Sequence, residues 1–121
     1  MRINADPTPT VPAHALSKSQ IRRVLSVVPT EWREPIKSVR LSNALHSGPA
    51  AEYSFVSHRL TVHSRGRTEH DVIRDILMEL LVHYTMTHPT PLSRLAESQR
   101  KRLNREVEPI LEKALHAIED A

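Results

Sequence analysis

The stretch from residue 69 to about 87 constrains this chain more than any other. Thr68 is a good N-cap, and Glu69 and Asp71 put negative charge at the positive end of the helix that follows. At about 100° per residue, Val72, Ile73, Ile76, Leu77, Leu80, Leu81 and Tyr84 form a broad apolar arc. Met78, Val82 and Met86 form a second apolar line on the far side. A helix apolar on two sides needs cover on two sides. It is therefore read as central, with the rest of the chain wrapped around it and a partner or second copy covering whatever the last helix leaves bare.

The flanking segments supply candidate cover. Ser17 and Gln20 have the spacing of a capping box, Ile21, Val24, Leu25 and Val28 follow on one face, and Pro29 ends that helix. Residues 36–41 read as a strand with Val39 and Leu41 on one face. Gly48 and Pro49 punctuate a loop, and then Tyr53 and Phe55 alternate about Ser54 while Leu60 and Val62 alternate about Thr61. This predicts two strands around Ser57 and His58, with Tyr53 and Phe55 facing the core together. After Pro89 and Pro91, Leu92, Leu95, Leu103, Val107, Leu111, Ala114 and Ile118 recur at helical spacing. Pro109 is expected to kink or split that last helix. The expected fold is α+β: an N-terminal helix, a small antiparallel sheet of about three strands, a long buried central helix and a kinked C-terminal helix.

A chain of 121 residues has room for one domain. Pro7, Pro9 and Pro12 mark residues 1–16 as a flexible Pro-rich arm, leaving 17–121 as a single domain. With no cysteine, disulfides, thiolate metal sites and cysteine nucleophiles are excluded, and the cytoplasm is the expected compartment. The first residues carry no apolar run of the kind a signal peptide or membrane span needs, so no membrane partner is expected. Only Gly48 and Gly66 are present, too few for a phosphate-binding loop, and no G-x-S-x-G elbow occurs.

Chemistry is most concentrated at Met78-Glu79-Leu80-Leu81-Val82-His83-Tyr84. Glu79 and His83 are four residues apart, which on a helix stacks them on one face as two metal ligands require. Over roughly residues 36–88, a helix and strands followed by a central helix with this motif resemble the core of the zincin metallopeptidases. In that family the helix carries H-E-x-x-H, in which two histidines bind zinc and the glutamate is the general base. Matched residue by residue, Glu79 takes the first ligand position, Leu80 the general base and His83 the second ligand. A register that keeps Glu79 as base puts Met78 and Val82 at the ligand positions. The resemblance implies a zincin-like domain that lacks ordinary peptidase catalysis, with zinc as the ion that Glu79 and His83 would hold. A third ligand would come from His63, His88, Glu106, Glu108 or Glu112. The competing reading is an i,i+4 helical pair with no metal and no cofactor.

Net charge is +3 with neutral histidines. Arg65 and Arg67 sit in a turn, and Arg100, Lys101 and Arg102 cluster in the last helix. If they face one way they make a contact surface for an acidic macromolecule; otherwise they are a solvated face with i,i+4 partners such as Glu97 and Lys101. Three functions follow as expectations. They are a non-catalytic zincin-like domain acting by binding a protein partner or a second copy, an atypical metal-dependent hydrolase using Glu79 and His83, and a nucleic-acid-binding protein.

Overall fold

The structure, a computed structural model, describes residues 1–7 and 11–119. Pro9 of the proline-rich segment lies outside the described residues. The chain is α+β. Strand β1 is Arg2–Ala5, helix α1 is Lys18–Val27, helix α2 is Thr30–Arg33 and strand β2 is Ser38–Leu41. Strands β3, Ala51–Ser54, and β4, Arg59–Val62, form a hairpin, helix α3 is Glu69–Thr85, and helix α4 is Glu97–Glu119. The helix ends follow from their caps. Ser17 Oγ accepts from Gln20 N while Gln20 Oε1 accepts from Ser17 N, and Thr68 Oγ1 accepts from Asp71 N.

The sheet is four-stranded and mixed, in the order β1-β2-β4-β3, and not the all-antiparallel sheet expected. β1 and β2 are parallel, β2 and β4 are parallel, and only β3 with β4 is antiparallel. Alternation tells which residues face the core but carries no strand direction. The loop over residues 42–50 carries the chain past one strand position, and the hairpin returns β4 into the gap between β2 and β3.

Residues 2–5 depart from the arm expected of the first sixteen. Ile3 is buried and stands opposite Val39, which is level with Leu60 and Tyr53 on the next strands. Asp6 receives Arg40 Nη2 at 2.8 Å, and that guanidinium holds the Asp6 carboxyl below the usual carboxylate range. A strand is thus recruited by one apolar side chain and one ion pair.

Helix α3 packs on α4, α2 and β3, and α1 packs on α4 and β1. Met78 and Val82 are buried by the chain itself, so no partner is needed to cover that part of the second apolar line. Phe55 lies beyond the end of β3 and is exposed, against the expectation that it would face the core with Tyr53. Leu92 belongs to a separate 3-10 turn, Leu92–Arg94, and the last helix begins only at Glu97. It then runs unbroken through Pro109. The proline removes one N–H and leaves the Arg105 carbonyl without its helical donor, while buried Val107, Leu111 and Ala114 hold both sides of the break in the ladder. Among the described residues no helix is long and apolar enough to cross a membrane.

Candidate functional site

Glu79 and His83 lie on α3 where it faces the edge strand β3. His83 Nε2 lies 2.9 Å from Glu79 Oε1, and the same oxygen accepts the Tyr53 N–H at 3.3 Å. One turn earlier Asp75 Oδ2 accepts the Ala50 N–H at 2.8 Å. Two carboxylates of α3 thus satisfy backbone donors on the unpaired edge of the sheet, where buried donors without partners would be costly. Leu80, at the position of the zincin general base, is 1% exposed and has no group that accepts a proton from water. Among the described residues no third histidine or carboxylate joins Glu79 and His83 in a ligand cluster. His88 lines the same cleft as His83.

That cleft, of about 610 Å³, lies between α2, the β3–β4 hairpin and the C-terminal end of α3. The chain has one tryptophan, one phenylalanine and two tyrosines, and all four line it. Trp32 and Tyr84 approach with ring centroids 6.4 Å apart, and Tyr53 meets the His83 ring edge-on at 4.8 Å. The Tyr53 hydroxyl shares a 2.9 Å hydrogen bond with His58 Nδ1, and burial raises the phenol above its usual range, keeping it protonated. Phe55 and Tyr84 remain 66% and 53% exposed. A second groove of about 350 Å³ shares Tyr53, Phe55, His83 and Pro89 with the cleft and continues along β3.

Searches against family models, curated proteins and solved structures found no match.

The basic residues are largely engaged inside the chain. Arg65 donates to the carbonyls of Pro12 and Asn43 at 3.0 and 2.6 Å and to that of Val11 at 3.3 Å. Arg67 donates to the carbonyls of His46 and Gly48, and Arg100 to that of Leu92. Lys101 lies 3.5 Å from Glu97, as the i,i+4 spacing predicts, and Arg102 is exposed. Guanidiniums that tie loops together are fixed in place by those carbonyls, and fewer donors remain for a phosphate.

His63, a candidate third ligand to the α3 pair, lies elsewhere, beside His46 and Glu52. No motif spacing marks these three. A partial signal existed in the hairpin register: Glu52 pairs with Thr61, so Glu52 and His63 share the outward face. His46 reaches them only through the fold of the 42–50 loop.

Proposed function

We propose that this chain is a zincin-like domain without peptidase chemistry that binds a protein partner, taking an apolar side chain of an extended segment into the aromatic cleft. The observation that carries this reading is the gathering of every aromatic residue of the chain at one open cleft while the core is built from aliphatic side chains. Aromatic side chains left exposed cost solubility, and they supply most of the affinity at protein interfaces. The continuation of the cleft into a groove along β3 favours an extended segment over a compact small molecule. Absence of peptidase chemistry is supported by Leu80 at the base position and by Glu79 Oε1, which already accepts from His83 and Tyr53.

The test is a selection from a random peptide library, run in parallel on the wild-type chain and on the Phe55→Ser, Tyr84→Ser double variant. Peptides centred on an aromatic or large aliphatic residue are expected to enrich on the wild type alone. Trp32, the only tryptophan, reports their binding by fluorescence. Each single substitution should weaken a selected peptide by roughly 10-fold or more, the loss expected of an interface anchor. Equal enrichment on both proteins overturns the reading. Cleavage of the selected peptides, lost in His83→Ala, would replace it with a hydrolase.

A further inference from the structure

The outward face of the sheet carries a second cluster. Successive strand residues point to opposite faces, so Glu52 projects away from the side on which Tyr53 meets His83. There Glu52 Oε1 lies 3.0 Å from His46 Nε2 and 3.8 Å from His63 Nε2. The ligand atoms of all three residues lie within 4.8 Å of one another. We propose that His46, Glu52 and His63 form a binding site for a divalent transition-metal ion, with zinc the representative case, separate from the Glu79–His83 pair.

Donors bonded to zinc at about 2.0–2.2 Å in a tetrahedron stand about 3.3–3.6 Å apart. The two separations to Glu52, 3.0 and 3.8 Å, bracket that value. Two imidazoles and one carboxylate leave a fourth position for water.

His63 is the most enclosed of the three. Its side chain is only 12% exposed, yet Nδ1 is buried with no hydrogen-bond partner among the described residues, and Nε2 is too far from Glu52 for a hydrogen bond. Nε2 is thus held near Glu52 without being committed to a hydrogen bond, and it is the ring nitrogen open to a metal.

The loop is built to present His46. Arg67 fastens the carbonyls of His46 and Gly48. A Cβ on Gly48 would stand 2.8 Å from His46 Nε2, so only glycine lets that ring lie where it does. The two imidazoles are stacked at 4.1 Å and 19°, so their in-plane lone pairs lie in nearly parallel planes. A shared metal needs them convergent, and the His46 side chain, 34% exposed, is the one free to turn.

The same surroundings select the ion. Glu52 is the one carboxylate of the cluster, beside two imidazoles. That donor set disfavours calcium and magnesium, which need oxygen ligands, and favours ions that bond strongly to imidazole.

Titration of the untagged chain with zinc, followed by calorimetry and by the visible spectrum of the cobalt form, tests the proposal. One ion per chain is expected, with a tetrahedral cobalt spectrum and no response to magnesium or calcium. His46→Ala and Glu52→Gln, both at accessible side chains whose loss should not unfold the protein, should each weaken zinc binding by more than roughly 100-fold. His83→Ala should leave zinc affinity within about twofold of wild type. No binding up to about 100 μM zinc, binding insensitive to His46→Ala and Glu52→Gln, or binding lost in His83→Ala would each overturn it.

Discussion

Glu79 illustrates how a residue chosen for one chemistry is held by another. Its Oε1 accepts from the Tyr53 backbone and from His83, so truncating it orphans a donor at the edge of the sheet and a partly buried ring nitrogen. Glu79→Ala should therefore lower stability by about 1–3 kcal/mol, whereas Glu79→Gln, which keeps a carbonyl acceptor, should lose less. Urea denaturation of the two variants measures the difference, and equal losses would mean that the contact to Tyr53 contributes nothing. The i,i+4 spacing made the pair itself legible. The Tyr53 contact was not, because it joins residues brought together only by the packing of α3 on β3.

Two histidines set a pH dependence at the same scale. His14 is held below the usual imidazole range by burial and then by Arg65, and His63 by burial and then by His46. Between the lowered folded value and the ordinary value, the unfolded chain binds protons that the folded chain does not, so stability rises with pH across that window. Stability is full above it and falls as pH drops through about 6.5 and below. Urea midpoints of the metal-free protein should decline from about pH 7.5 to about pH 5.5, and His14→Gln and His63→Gln should each flatten part of the decline. An unchanged slope in both variants would assign the acid sensitivity to other groups.

At the scale of elements, the helices were legible because their signals are local. Caps at Ser17 and Thr68 and apolar periodicity fix α1 and α3 with no knowledge of the rest of the chain. The order and direction of the strands were not legible, since a period-2 pattern is the same in parallel and antiparallel pairs. β1 was the least visible, with Ile3 as its one buried apolar residue and prolines following close behind. Its contribution can be measured. Ile3→Ala should destabilise the chain by about 2 kcal/mol, the low end for a buried isoleucine because β1 is an edge strand. Removal of residues 1–6 should cost more, since the Asp6–Arg40 pair goes with it. A truncated chain with an unchanged urea midpoint would restore the view of this segment as a mere arm.

For the whole molecule, the two-sided apolar character of α3 is resolved by wrapping, with α4, α2 and β3 around it. What remains exposed and aromatic collects at one end of that helix, on the helical side of the sheet, while His46, Glu52 and His63 occupy the outward side. The sites share β3, where Glu52 and Tyr53 are neighbours, so the question is whether one can influence the other. Coupling needs an element with two arrangements that both ligands bias. β3 offers little of this, because β4 holds one edge and Asp75 and Glu79 hold the donors of Ala50 and Tyr53 on the other. The movement required for a metal falls to the His46 ring, on the loop. Zinc at saturation should therefore change the affinity of a cleft-binding peptide by less than about twofold, and by linkage the peptide should change zinc affinity no more. Peptide titrations followed by Trp32 fluorescence, with zinc and with chelator, read this directly. A tenfold or larger shift that disappears in Glu52→Gln would mean that β3 moves, and would make the hairpin a connection between two sites that its hydrogen bonds otherwise keep apart.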